Sequence, residues 1–204
     1  MNITVYSQEP SKEPVYRLIL HSLSMKKVPV LIMGAQGFPF RSYIQYARQK
    51  HFSSELFGRL QVASAVNMHH IRAIFKQLGG KDILPVLFNL SEVYTDDTLE
   101  ERVRLFIFRR DLKKLSAINR LSFAFEYNYD RQFELRKKFI RILFHKSHLY
   151  IHSTKGIIKN HLSQKEEEYL YGHFSPHLFH FTRRTAIRMD EFSPNPLQNR
   201  QVLF

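Results

Sequence analysis

The chain has no cysteine and no tryptophan, and only 7 glycines in its 204 residues. Without cysteine there is no disulfide framework, no thiol nucleophile and no thiolate metal site, and the composition suits a reducing compartment. With so few glycines, there are few places where bare backbone can wrap a phosphate. Acidic residues are also short: 18 Asp and Glu face 31 Lys and Arg, a formal net charge of +13. Such an excess favours polyanions, nucleic acid first and acidic protein or anionic lipid second. Long apolar runs are missing. Those around Val28 to Met33 and Ile83 to Phe88 are far too short to span a bilayer. The start, Met1-Asn2-Ile3-Thr4, has neither a basic n-region nor an apolar h-region. No cleaved leader is therefore expected, and the expected location is intracellular: cytoplasmic, at a nucleoid, or nuclear.

What is present is ordinary in amount and ordered in pattern. Hydrophobic residues make up 44% of the chain, with 18 Phe and 10 Tyr, enough for one domain with a sizeable core. Apolar runs of strand length alternate with helical spacing. Ile3 to Tyr6, Val28 to Met33, Leu60 to Ala63, Ile83 to Phe88, Leu121 to Glu126 and Leu149 to His152 read as strands. Helices are predicted over Val15 to Leu23, around Phe40, Tyr43, Ile44 and Ala47, and from the cap Asn67 to the stop Gly79-Gly80. Thr98-Leu99-Glu100-Glu101 reads as a capping box opening a helix to about Ile118; Asp130 caps another to about Phe144. A second capping box, Ser163-Gln164-Lys165-Glu166, opens a short helix ending at Gly172. His177 to Phe181 and Thr185 to Met189 suggest a terminal hairpin. Alternating strands and helices predict an α/β fold with a mostly parallel sheet flanked by helices and a small C-terminal helix and hairpin extension. The expected division is a core over residues 1–155, an extension over 156–192 and a tail over 193–204.

The segment between the first strand and first helix, Ser7-Gln8-Glu9-Pro10-Ser11-Lys12-Glu13, is placed like a phosphate-binding loop. A working G-x-x-x-x-G-K-[ST] loop needs its glycines to close backbone N–H groups around phosphate, and a hydroxyl to hold magnesium. Here Tyr6 and Ser11 stand at the glycine positions, Lys12 remains, and Glu13 replaces the hydroxyl.

With that segment and the order of elements, residues 1–155 resemble the ATPase core of RecA and Rad51-type recombinases, especially their degenerate paralogues. The resemblance implies a RecA-like sheet and assigns roles to three positions. Lys12 is the phosphate lysine. Gln36, after Val30-Leu31-Ile32-Met33-Gly34-Ala35, falls where a water-activating acid would stand. Asn89, after Ile83-Leu84-Pro85-Val86-Leu87-Phe88, falls where an acid would organise magnesium. Glutamine orients a water but does not take its proton at neutral pH. The site expected from the resemblance is therefore a degenerate, inactive nucleotide site with no catalytic residues, no metal and no cofactor.

Three basic clusters have no matching acids. Arg109, Arg110, Lys113 and Lys114 are i,i+4 neighbours on the long helix; Arg136, Lys137, Lys138 and Arg141 share the next; Arg183 and Arg184 fall at the hairpin turn. Together they are expected to track phosphate without reading sequence. Tyr127 and Tyr129, at the carboxyl end of a strand, are expected to stack bases. The late histidines, His145 to His180, have neither cysteine nor an H-E-x-x-H motif to make a zinc site. No G-x-S-x-G elbow supports serine hydrolase chemistry.

The expectation is a non-catalytic accessory protein that binds DNA and a protein partner, such as another RecA-fold subunit, in recombination or repair, with no membrane contact. Two alternatives stand beside it. One is a structural subunit that docks on a RecA-fold partner without touching DNA. The other is a metal-dependent nuclease using Asp96 and Asp97.

Overall fold

The apolar runs become strands because a parallel strand covered on both faces needs side chains that tolerate burial everywhere. The computed structural model describes residues 1–7, 12–25, 28–34, 37–78, 83–95, 98–118, 121–127, 133–152 and 155–174. Seven strands form one sheet: β1 (Asn2–Ser7), β2 (Val28–Met33), β3 (Gln61–Ser64), β4 (Ile83–Phe88), β5 (Ser122–Tyr127), β6 (Leu149–His152) and β7 (Gly156–Asn160). Their order is β3-β2-β4-β5-β1-β6-β7. Every neighbouring pair is parallel except β6 and β7. The helices are α1 (Glu13–Ser24), α2 (Phe40–Gln49), α3 (Met68–Gln77), α4 (Glu101–Ile118), α5 (Phe133–Lys146) and α6 (Gln164–His173), with 310 turns at Ser54–Arg59 and Leu90–Tyr94.

Alternation along the strands builds two cores. Ile3 and Val5 of β1, Leu84, Val86 and Phe88 of β4 and Phe123, Phe125 and Tyr127 of β5 point to one face. There they meet Val15, Leu18 and Ile19 of α1, Tyr43 and Ala47 of α2, and Leu170 of α6. Val30 and Ile32 of β2, Leu87 of β4 and Ala124 of β5 point to the other face. Their partners are Met68, Ile71 and Phe75 of α3, Phe108 and Leu112 of α4, and Phe139 and Leu143 of α5. Right-handed crossovers require this division, since the chain moves one way along the sheet through α1 and α2 and the other way through α3, α4 and α5.

Two strands carry a proline, which ordinarily argues against an interior strand. Pro29 and Pro85 each precede the point where a second neighbour starts to pair: β3 pairs with β2 from Val30, and β5 pairs with β4 from Val86.

Several expectations shift. The sheet continues past residue 155, because Gly156–Asn160 returns antiparallel to β6 as β7. The tight return needs a left-handed residue, supplied by Gly156 at φ 83°. α6 also closes one core, with Leu170 and Phe174 fully buried, and Ser163 and Glu166 cap it reciprocally as the sequence suggests. Helix α4 opens at Glu101, whose carboxylate pairs with Lys138 of α5. The hairpin over 177–189 and the tail over 193–204 lie outside the described residues.

Candidate functional site

In an open α/β sheet, ligands sit beyond the carboxyl ends of strands at a switch point, where adjacent strands send their connections to opposite faces. β1 and β5 are such a pair, since β1 leads into α1 on one face and β5 into α5 on the other. Lys12, the N-cap of α1, and the ends of β4 and β5 meet here.

Burial forces the chemistry of this corner. Glu126, next to last in β5, is fully buried, a position no carboxylate holds without donors. Ser91, in the 310 turn after β4, gives it two: the backbone N–H to Oε1 at 3.0 Å and the hydroxyl to Oε2 at 2.5 Å. Arg136 of α5 gives a third, with Nη2 at 3.0 Å from Oε2. The same guanidinium donates from Nε to Ser91 Oγ at 2.9 Å and from Nη1 to Glu92 Oε1 at 3.3 Å.

Asn89 locks the turn. It adopts the left-handed region at φ 49°, which Asn tolerates better than most side chains. Its Nδ2 donates to Glu92 Oε1 at 3.0 Å, and its Oδ1 accepts the Tyr127 N–H at 2.9 Å and Arg136 Nη2 at 3.4 Å. Its own N–H donates to the Phe125 carbonyl at 2.8 Å, so one residue ties the ends of β4 and β5 together.

Lys12 closes the open side. Its ammonium lies 3.8 Å from the centre of the Tyr127 ring, a cation–π distance that favours the charged form. Burial pulls the other way and lowers its pKa to about 8, with Glu92 opposing that shift and Arg136 adding to it. Among the described residues here, two cations, Lys12 and Arg136, stand against two carboxylates, Glu92 and Glu126. Magnesium and a triphosphate would bring several charges that this balance does not answer.

The structure distributes the expected site residues unevenly. Lys12 and Asn89 meet at this corner, whereas Gln36 lies outside the described residues. Arg109, Lys113, Lys114, Lys138 and Arg141 are exposed, Lys138 with Glu101 as its partner, and Arg110 and Lys137 are half-buried. Arg136 is not a surface cation: it is fully buried, its guanidinium committed to two carboxylates, and it has no face for a phosphate. Tyr127 is 1% exposed, packed on Phe88 and beneath Lys12, so its ring offers no stacking platform. Tyr129, Arg183 and Arg184 lie outside the described residues, as do Asp96 and Asp97.

Sequence reasoning does not single out Ser91 or Glu126 as site residues, and it points to Glu92 only as one of the acids after a strand end that suggest a magnesium nuclease. The signal available was an acid inside Phe123-Ala124-Phe125-Glu126-Tyr127, where neighbours on both sides are apolar and burial demands a cation. Among the described residues, no group of three His, Cys, Asp or Glu is placed to hold a metal, and no helix is long and apolar enough to cross a membrane.

Charge is divided between the two faces of the sheet. Helices α3, α4 and α5 carry thirteen Lys and Arg against three Asp and Glu, a net +10. Helices α1, α2 and α6 carry four of each, a net of zero. No protein-family model matches the chain, and no curated protein matches it.

Proposed function

We propose that this chain is a non-hydrolysing accessory protein of RecA-like architecture, which binds nucleic acid with little sequence selectivity and works beside a protein partner in recombination or repair. The observation that carries the reading is Asn89. At the end of β4, where the resemblance places a magnesium-organising acid, stands a neutral amide whose two polar atoms already bind Glu92, Tyr127 and Arg136. A phosphate lysine without a metal-organising acid, set among described cations and carboxylates already paired with one another, supports retention of the scaffold without its chemistry. The +10 face supports the nucleic-acid half of the reading, since phosphate contact needs density of charge rather than a motif. The partner half rests on the resemblance, because in RecA-type domains the nucleotide face also meets the next protomer.

The test is turnover by the purified chain with ATP, magnesium and single-stranded DNA. The expected result is no hydrolysis above a blank. DNA-stimulated turnover that Lys12→Ala abolishes would overturn the non-hydrolysing reading.

A further inference from the structure

The outer surface of α4 holds a pattern that the corner beyond the strands does not explain. Arg102, Phe106, Arg109 and Lys113 are all exposed. At about 100° per residue they fall within an arc of about 60°, and from Arg102 to Lys113 the axis rises about 16 Å. None of the three cations forms an ion pair among the described residues. The one acid in the body of the helix, Asp111, is turned inward, where it accepts from Tyr94 Oη at 3.1 Å and Arg72 Nε at 3.4 Å. Glu101 at the first turn is held by Lys138. The stripe is therefore cationic with no acid on it.

Phe106 is the unusual member. Its ring is 62% exposed, and among the described residues it is the one exposed phenylalanine, while Phe108 two positions on is fully buried. A single exposed ring is ordinary on a protein surface, but this one lies between two arginines on the same arc of the helix. Further round the helix, Lys76, Lys114 and the Arg72–Asp111 pair line a groove of about 180 Å³ between α3 and α4. Helices α3, α4 and α5 together carry a net +10, so the face around the stripe is basic as well.

We propose that this face of α4 is a track for single-stranded nucleic acid, with Arg102, Arg109 and Lys113 on successive phosphates and Phe106 stacked on an unpaired base. The proposal rests on the nucleic-acid-binding reading above and adds the surface and the form of the strand. Charge complementarity selects an anionic polymer. The ring selects a single strand, because duplex bases already stack on one another and show no free face to a side chain. Backbone contact with base stacking carries no sequence code, so selectivity among sequences is low.

Fluorescence anisotropy tests this, with a labelled oligothymidylate, a duplex of the same length and anionic vesicles of phosphatidylserine and phosphatidylcholine. The wild type, Phe106→Ala and the double variant Arg109→Ala/Lys113→Ala are titrated over a range of salt. All three substituted side chains are exposed, and circular dichroism checks that the fold is kept. The wild type is expected to prefer the single strand. Phe106→Ala should weaken that binding about 5- to 100-fold with little change in salt slope. The double variant should flatten the slope of log K against log salt by about 1.4, or 0.7 per lost contact. If the wild type binds the oligonucleotide and both variants bind it equally well, this track is wrong while the nucleic-acid reading survives. A wild type that prefers duplex, with Phe106→Ala unchanged, also overturns the track. Absence of binding to either nucleic acid removes both readings, and binding to vesicles alone makes the face a membrane surface instead.

Discussion

Arg136-Lys137-Lys138 on α5 and Arg109-Arg110 with Lys113-Lys114 on α4 look alike as strings of cations, and the fold treats them in opposite ways. The first string sends its arginine inward to two carboxylates at the carboxyl edge of the sheet. The second keeps Arg109, Lys113 and Lys114 in water, leaves Arg110 half-buried at 3.7 Å from Asp111, and turns that acid to the interior. What separates them is the location of the acids. Glu126 and Glu92 sit where strand ends bury them and α5 passes over them, so Arg136 follows its counter-charge. Among the described residues no acid pairs with Arg109, Lys113 or Lys114, and their charge stays at the surface. A buried cation and an exposed one are thus two answers to the same question of where the negative charge is.

Removing Arg136 should break the comparison most severely. Arg136→Met keeps much of the volume but leaves Glu126, and in part Glu92, buried without a cation. Losing one partner of such a pair costs about 3–5 kcal/mol. On the other string, Arg109→Ala should change stability by no more than about 0.5 kcal/mol, as exposed substitutions do. Urea unfolding of both variants decides the matter. An Arg136→Met variant within about 1 kcal/mol of wild type would mean that the guanidinium is not what makes the buried carboxylate tolerable. Adding Glu126→Gln to Arg136→Met should recover part of the loss, since the pair shares one interaction.

Asn89→Asp gives a smaller break in the same corner. Asp also tolerates the left-handed region, so the backbone is not strained by the change. The change removes the Nδ2 donor to Glu92 and adds a carboxylate beside two others. The expected cost is about 1–3 kcal/mol, the range for leaving a buried hydrogen-bonding group unsatisfied. Under the proposed function it also asks whether an acid at this position brings turnover. With Glu13 at the hydroxyl position of the loop, no magnesium-dependent turnover should appear. A stable Asn89→Asp protein that gains ATP hydrolysis would show Asn89 as the only missing part.

Much of the sheet was legible from residues. Val28–Met33 and Ile83–Phe88 are apolar without interruption because both faces are covered, and the sequence pattern carries that directly. The cap at Asn67 was legible too: its Oδ1 accepts the N–H groups of His69 and His70. β7 was not, since Gly156-Ile157-Ile158-Lys159-Asn160 is a short edge strand with a bulged pairing and little pattern to read. Lys12 and Asn89, picked out through the resemblance, do lie at one corner, while Ser91 and Glu126 were not picked out and Glu92 entered only among the acids after a strand end. Those three come together only through the pairing of β4 with β5 and the passage of α5, and no spacing along the chain encodes that. Arg136 was misread for the same reason: neighbouring lysines suggest water, and the counter-charge that buries it lies on another strand.

The smallest effect concerns Lys12 and appears only as a function of pH. Burial lowers its folded pKa from the ordinary 10.5 to about 8. Between those values the unfolded chain holds a proton on Lys12 that the folded chain has released. Stability gains with pH wherever the unfolded state binds more protons, so this contribution rises from about pH 8 towards 10.5 and is constant below pH 8. Lys159, also lowered by burial, acts in the same direction. Four tyrosines act oppositely. Burial raises the pKa values of Tyr43, Tyr46, Tyr94 and Tyr150 above 10, so unfolded tyrosines ionise first and stability falls as pH climbs past 10. The urea midpoint should therefore rise modestly above pH 8 and turn over near pH 10. Lys12→Met should remove most of the rise, leaving the share due to Lys159, and should keep the fall. Lys12 is only half withdrawn from water, so the rise is small beside the loss expected at Arg136. A wild-type midpoint that is flat from pH 8 to 10, or a Lys12→Met variant that climbs as steeply as wild type, would place Lys12 in open solvent rather than against Tyr127.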